Sequence, residues 1–344
     1  MRCCIIGCGP GGKERGGAHS IAYAHAWAYQ AQSETILVAA ASRSAANRET
    51  WQHEFADCQM YANYREMLTE VAPEMVSICA FPPDRVAMVT AACQAGAKII
   101  WAEKPFAVTV ADGEAMLAAA AHYGARLYVN HQRRYGEVCR WFREAACDGR
   151  IGELLQIDIV QPGGCLENFG PHLLDQALAV LGARSPTHVI ATADCSSGTV
   201  YQGLPTQDHL LASVHYADGV RLTVELGDHH LRSPLLRAHG TDGFAELHVN
   251  EQAGMASVFR CCSHGHCVNP PSQEHFHHGK SAPNLFYNRA LTAILKATAD
   301  GTACELDATE AHKGAVLIAG IHAACASGTR LTFPILPPHH EVSP

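Results

Sequence analysis

No segment of the 344-residue sequence stays apolar for long enough to span a membrane, and no heptad or low-complexity tract appears. Basic residues are not in excess. The 25 Lys and Arg against 33 Asp and Glu leave a formal net charge of −8, which excludes a general nucleic-acid binder. Charged residues make up only 17% of the chain and hydrophobic ones 48%, a balance that excludes disorder. The length is too great for one small core, so two domains are expected. The first strand-like run starts almost at Met1 and leaves no room for a secretory leader, so the expected compartment is the cytoplasm, with no membrane partner.

A disulfide framework is also missing. The 15 cysteines are scattered, and Cys3, Cys4, Cys79, Cys93 and Cys325 sit in apolar runs, where reduced thiols act as small hydrophobes. Cys261-Cys-Ser-His-Gly-His-Cys267, followed by His275, His277 and His278, offers zinc-type ligands. Its spacing matches no zinc pattern, and adjacent ligands strain a tetrahedron. The expectation is a polar hairpin or loop and no metal.

What is present is an alternation. Arg2-Cys-Cys-Ile-Ile6, residues 35–41, 75–80, 99–102 and 125–129 read as buried strands. Helical stretches fall at 19–32, 45–56, up to Ala95, and at 110–123. Such spacing implies a parallel sheet with helices on both faces. The second half reads differently, with strand-like runs at 155–160, 188–193, 210–216, 220–226 and 244–249. Ala217-Asp-Gly219 and Thr241-Asp-Gly243 mark tight turns between them.

Directly after the first strand, Gly7, Gly9 and Gly12 satisfy G-x-G-x-x-G. Glycine there lets backbone N–H groups approach a pyrophosphate at a helix N-terminus. Lys13-Glu-Arg-Gly-Gly17 reads as inserted loop, so Gly7 and Gly9 are the firmer members. An NAD-binding sheet usually ends its second strand in an acid that accepts from the ribose hydroxyls. This chain has Ser42-Arg43-Ser44 instead, groups that suit a 2′-phosphate, so NADP is preferred to NAD. An ordinary solvated loop is the alternative.

The apolar run Ile99-Ile-Trp-Ala102 stops in Glu103-Lys104-Pro105. Proline cannot continue the strand ladder, and the residue before it favours extended geometry. Lys104 is therefore presented at the carboxyl end of a parallel strand, where α/β sheets bind ligands. A lysine there can exchange a proton with a substrate oxygen; a plain surface lysine is the competing reading.

The glycine loop, Phe81-Pro-Pro83, Trp101-Ala-Glu-Lys-Pro105 and Asn168-Phe-Gly-Pro-His-Leu-Leu-Asp175 occur in the order seen in the glucose-fructose oxidoreductase / inositol dehydrogenase (Gfo/Idh/MocA) family. Arg150-Ile-Gly-Glu-Leu154 resembles the start of that family's second domain, and residues 285–334 resemble its closing helices and last strand. The resemblance covers nearly the whole chain. It implies an α/β fold: a Rossmann doubly wound parallel sheet over 1–133, then a C-terminal α/β domain over 134–340 with a large, open, mostly antiparallel sheet. The chain's last helix is expected to pack back on the first domain. A sheet covered by helices on one face leaves the other for a second copy, so a homo-dimer or homo-tetramer is expected.

The resemblance also implies the chemistry: an NAD(P)-dependent oxidoreductase acting on a sugar, inositol or related polyol. His172, near the start of a helix running to about Leu181, would exchange the substrate proton, and Lys104 would orient the oxygen. Local packing or capping is the other reading of His172. Asp175 lies one helical turn beyond His172 and can orient its ring, or equally pair with a neighbouring cation or cap local backbone. Asn168 stands where many members carry aspartate; it can bind a hydroxyl but cannot accept a proton.

His131 and Arg133, in Asn130-His-Gln-Arg-Arg134, and Tyr287 join the implied substrate contacts, with a solvated or structural role for one of the two arginines and core packing for Tyr287 as the other readings. Phe81, Pro82, Glu103, Lys104 and Asn130 join Ser42, Arg43 and the glycines on the cofactor side. Cys165, Glu167, His229 and His230 receive no role. An NAD-dependent glycosidase of this fold and a non-catalytic dinucleotide-binding paralogue are the alternatives.

Overall fold

The computed structural model describes residues 1–9, 20–80, 82–163, 166, 170–201, 204–227, 235–249, 254–263, 266–278 and 284–334. The chain divides into two compact units, Met1–Tyr135 with Ala282–Ala315 and Gly136–Ser281 with Val316–Pro344.

The first unit is built on six parallel strands. Along the chain run β1 (Arg2–Ile6), α1 (Ile21–Gln30), β2 (Ile36–Ala41), α2 (Ala45–Glu54), β3 (Gln59–Tyr61), α3 (Tyr64–Val71) and β4 (Met75–Ile78). Then follow α4 (Arg85–Gln94), β5 (Ile99–Ala102), α5 (Val110–Tyr123) and β6 (Arg126–Val129). The sheet order is β3-β2-β1-β4-β5-β6. Every residue of β4 and β5 is buried, because helices cover both faces; this is why those strands read as apolar runs, with Ser77 the polar exception. Side-chain caps fix several helix starts. Ser44 accepts from the Asn47 N–H, Asn63 from Arg65 and Thr109 from Asp112, and Gly124 in the left-handed region ends α5.

The order reverses between β1 and β4, and it is at the carboxyl ends flanking such a switch point that doubly wound sheets bind ligands.

The second unit begins with α6 (Glu137–Cys147), β7 (Leu154–Pro162), α7 (Gly170–Leu181) and β8 (Pro186–Asp194). A two-stranded ribbon of β9 (Val200–Tyr201) and β10 (Leu204–Pro205) follows. Next come β11 (His209–Tyr216), β12 (Arg221–Gly227), β13 (Leu235–Gly240), β14 (Gly243–Val249), β15 (Gly254–Ser263) and β16 (His266–His278). After α8 (Leu285–Asp300) and α9 (Ala308–Ser327), β17 (Leu331–Thr332) completes a nine-stranded sheet. Its order is β16-β15-β14-β13-β7-β12-β11-β8-β17. Only β7 and β12 pair in parallel; the other pairs are antiparallel. The fold is therefore α/β, a doubly wound parallel sheet plus a larger mixed, mostly antiparallel one.

Alternation decides the faces of the large sheet. Ile157, Ile159, Leu222, Val224, Leu236 and Ala238 bury one face in a core with Phe142 of α6, Leu174 and Leu181 of α7, and Leu317 and Ile321 of α9. The opposite face carries Asp158, Thr223, Arg237, His239 and Glu246 in side-chain networks. Helix α8 belongs to the first unit, where Ala290, Leu291 and Ile294 join Tyr23, Trp101 and Tyr128 in one core.

The strand-like runs at 188–193, 210–216, 220–226 and 244–249 match β8, β11, β12 and β14 closely. β3 and α3 fall where neither strand nor helix was read: β3 has three residues, too few for a period, and α3 is short and mostly polar. Cys262 stands opposite Cys267 in the antiparallel β15–β16 pair; residues 264 and 265 lie outside the described residues. No helix among the described residues is long and apolar enough to cross a membrane.

On the polar face, Thr223 Oγ1 donates to Asp158, and His239 Nε2 lies 2.7 Å from its other oxygen. Burial alone raises the Asp158 carboxyl, but the His239, Thr223 and Gln156 hydrogen bonds outweigh it and hold the group down at about 2. A carboxyl depressed on folding stabilises above its unfolded pKa of about 3.9 and loses that contribution as pH falls toward its folded value. Acid titration of unfolding should show this loss between about pH 4 and 2, flattened in Asp158→Asn; an unchanged acid limb would contradict the network's role.

Candidate functional site

The carboxyl edge of the parallel sheet is assembled first from backbone. Gly7 leaves β1 at φ +96°, and its N–H donates to the Ala41 carbonyl at 3.0 Å. A Cβ there would lie 2.7 Å from Ala80 N, so the loops after β1 and β4 approach more closely than any side chain permits. A Cβ on Gly9 would meet Ser20 Cβ at 3.0 Å. A turn with glycines at 7 and 9, and the Cys8 side chain buried, at the point where strand order reverses fits a dinucleotide pyrophosphate. Gly12 lies outside the described residues.

The end of β2 is occupied by Ser42-Arg43-Ser44, without a carboxylate. Ser42 Oγ is buried and donates to Cys8 O at 3.1 Å, which holds the two loops together and engages the hydroxyl internally. Arg48 donates back to the carbonyls of Ser42 (2.8 Å) and Arg43 (3.1 Å). Arg43 presents a guanidinium that is 93% exposed, with Asp84 at 4.0 Å.

At the end of β5, Glu103 is buried and both of its oxygens are engaged. Oε1 takes the Asn130 amide at 2.6 Å and lies 3.1 Å from His25 Nε2; Oε2 takes the Lys104 backbone N–H at 3.2 Å. His25 Nδ1 lies 2.9 Å from Ser77 Oγ, which in turn meets the Tyr29 hydroxyl at 2.5 Å. The Trp101 ring lies against His25, with centroids 3.8 Å apart. Burial alone would push the Glu103 carboxyl up. The hydrogen bonds from His25 and Asn130 and the Lys104 cation outweigh it and hold the group below the usual carboxylate range. Lys104 itself is half-buried.

Arg85, at the start of α4, is the second organiser of this edge. Its side chain is fully buried and donates to the carbonyls of Pro105, Phe106 (3.1 Å) and Ala80 (2.8 Å). It thereby ties the segment after Lys104 to the segment after β4. Desolvation is the largest influence on the guanidinium and lowers it to about 10, opposed by the charge of Glu103. Pro82 is buried in the short turn Pro82–Asp84; Phe81 lies outside the described residues.

Asn130 and His131 are buried just beyond β6. Of the two arginines that follow, Arg134 donates to the Glu305 carbonyl at 2.9 Å and serves the fold, while Arg133 is half-buried. Tyr287 of α8 takes a hydrogen bond from Gln132 at 3.4 Å and stands edge-on to His25, with ring centroids 5.5 Å apart. Burial, and then the Glu103 charge, push its phenol well above the ordinary range. The first unit thus gathers Gly7, Glu103, Lys104, Asn130 and Tyr287.

In the second unit, His172 and Asp175 occupy the first turns of α7, one turn apart and both buried. Asn168 lies outside the described residues, as do Cys165, Glu167, His229 and His230.

Sequence reasoning passed over His25, Tyr29, Ser77 and Arg85. Two signals were available. Ser77 is the polar residue in the buried run Met75-Val-Ser-Ile78, and a polar group there must find a partner. His25 and Tyr29 stand four apart on α1, so they share one helix face.

Residues 1–131 match the family model described as oxidoreductase family, NAD-binding Rossmann fold, and residues 157–246 match the GFO/IDH/MocA C-terminal domain. Among curated relatives, the D-glucoside 3-dehydrogenase of Escherichia coli is 24% identical over 176 residues, 46% of this chain and 50% of that protein. The inositol 2-dehydrogenase of Serratia proteamaculans is 30% identical over 102 residues, 29% of this chain and 30% of that one. The matched stretch thus spans half or less of these relatives' length. An Agrobacterium radiobacter oxidoreductase solved with NAD+, L-tartaric acid and magnesium superposes with a TM-score of 0.76 at 16% identity, covering 96% of this chain and 98% of that one. The Bordetella pertussis WlbA dehydrogenase, solved with NADH and UDP-GlcNAcA, gives 0.74 at 17% identity, covering 97% and 99%. At these identities the likeness is one of fold.

Replacing Arg85 with methionine leaves buried carbonyls without their donor. The expected cost in urea unfolding is about 3 kcal/mol or more, with little recovered by Arg85→Lys, whose compact ammonium cannot reproduce the planar fork. A change below about 0.5 kcal/mol would contradict the bracing role.

Proposed function

The chain belongs to the Gfo/Idh/MocA family of NAD-binding Rossmann-fold oxidoreductases, and on that premise we propose that it moves a hydride between nicotinamide and a hydroxyl or carbonyl carbon of a sugar, inositol or related polyol. The observation that carries this reading is the placement of Lys104 at the carboxyl edge of β5, in a parallel sheet whose strand order reverses at the Gly7 turn.

Gly7 and Gly9 leave room for the pyrophosphate, and Asn130 lines the nicotinamide end. When bound, the nicotinamide supplies the hydride chemistry at its C4. His172 takes the hydroxyl proton in oxidation and returns it in reduction, a task suited to an imidazole near neutral pH. Lys104 orients the substrate oxygen, and Asp175 orients His172. Asn168, His131, Arg133 and Tyr287 contact the substrate's polar groups. Because Asn168 cannot accept a proton, the acid–base work falls to His172 and Lys104.

NADP is the preferred cofactor. The exposed Arg43 guanidinium and the absence of a carboxylate at the end of β2 favour a 2′-phosphate, while the Ser42 hydroxyl is already bonded to Cys8. Homo-oligomerisation is read from the second sheet: its uncovered face is polar but carries Leu211 and Ile190, 54% and 50% exposed, which a second copy would cover. Sedimentation of the full chain should give a dimer or tetramer mass, and a monomer at micromolar concentration would contradict it.

A panel of sugars and polyols with added NADP or NAD, followed at the nicotinamide absorbance, tests the reaction. Lys104→Met and His172→Ala should each lower kcat about 100-fold or more with cofactor binding retained. Wild-type rates in both variants would sink the assignment, and cofactor binding without turnover on any substrate would favour a non-catalytic paralogue. Arg43→Ala should weaken NADPH binding about ten-fold and leave NADH within about two-fold; equal losses would overturn the NADP preference.

A further inference from the structure

Glu103 has 4% of its surface exposed, and each oxygen already faces a protein donor. It therefore works through its neighbours. Two of them, the Lys104 peptide and the Asn130 side chain, are groups that the proposed reaction uses; the third, His25, leads away into the core. Resting on that reading, we propose that Glu103 is a positioning residue, the anionic end of a one-way hydrogen-bond chain from Tyr29 through Ser77 and His25 that fixes Lys104 and Asn130 at the sheet edge.

Counting hydrogens sets the direction of the chain. A carboxylate only accepts, so His25 donates from Nε2. With Nδ1 as acceptor, Ser77 donates to His25 and Tyr29 donates to Ser77, and every polar hydrogen has an acceptor. In the opposite direction Ser77 would donate to Tyr29, and the phenolic hydrogen would need a further buried acceptor, an arrangement that costs free energy. The chain ties α1, β4 and β5 together at atoms, and Asn130 adds the end of β6.

The geometry also makes Glu103 hard to replace by its isostere. Its two oxygens accept from three donors, whereas a glutamine amide would turn its NH2 toward at least one of them. The charged and titratable groups around the carboxylate are His25 from α1, Cys79 after β4, Arg85 from α4, Lys104, and Tyr287 from α8. Removing the anion leaves Lys104 and Arg85 without their shared buried counter-charge.

The test uses the full chain with Glu103→Gln, Glu103→Asp and Ser77→Ala, reading kcat, KM, the fluorescence-detected dissociation constants of NADH and NADPH, and the imidazole 15N spectrum of His25. Glu103→Gln should lower kcat about 100-fold while cofactor affinity moves less than about five-fold; Glu103→Asp should recover about ten-fold of that loss, and Ser77→Ala should lose about ten-fold. The wild-type spectrum should show the neutral tautomer protonated at Nε2. Unchanged kcat in Glu103→Gln, losses that follow melting temperature alone, or a His25 ring protonated at both nitrogens would each overturn the proposal. If Glu103→Gln does not fold, Ser77→Ala and the spectrum still decide it. Failure of the wild type to bind either dinucleotide would instead refute the proposed function, and leaves the spectrum to judge the chain.

Discussion

A carboxylate buried at the end of a β-strand is costly unless every lone pair facing the protein has a donor. Glu103 meets that condition with His25, Asn130 and its own neighbour's N–H. To supply those donors, α1 must lie against β4 and β5, and β6 must end where Asn130 reaches back. Arg85 imposes a matching constraint from the other side, since its buried fork needs the carbonyls of Ala80, Pro105 and Phe106. Between the two, the segments that follow β4, β5 and β6 are pinned at side-chain and backbone atoms. Lys104 is held by its peptide in the middle of this arrangement.

The glycine turn depends on the same tight edge. Gly7 lets the loop after β1 come within 2.7 Å, measured from a would-be Cβ, of the Ala80 nitrogen whose carbonyl Arg85 holds. Substitution at Gly7 would thus disturb both the turn after β1 and the strut behind it. Helix α8 lies later in sequence yet contributes Tyr287 and an apolar face to the same core, so the first unit is not a contiguous stretch of chain.

Much of this could be read from the residues. β1, β2, β4, β5 and β6 are largely apolar runs because both faces are covered, with Arg2, Ser77 and Arg126 the polar exceptions. β8, β11 and β12 alternate because one face is not. Glu103, Lys104 and His172 stood out through motif and order. β3, α3, β13 and β15 did not, being short, polar or without a clean period. The β15–β16 pair answers to the hairpin half of the hairpin-or-loop reading of the Cys261–Cys267 region, although Pro270 and Pro271 among the histidines gave β16 no strand period of its own. The chain behind Glu103 was hidden for another reason: His25 is 78 residues from Glu103 and 52 from its own partner Ser77, and no local period encodes which buried polar group meets which.

The central claim is that the edge formed by Gly7, Glu103, Lys104 and Asn130 is a nicotinamide site. A crystal structure of the full chain with NADPH tests it most directly. The account predicts the pyrophosphate over the Gly7–Gly9 turn, the 2′-phosphate at Arg43, and the nicotinamide ring beside Lys104 and Asn130, with Glu103 still turned inward onto His25. A dinucleotide bound elsewhere, or one at this edge with Glu103 swung out to meet it, would contradict the account.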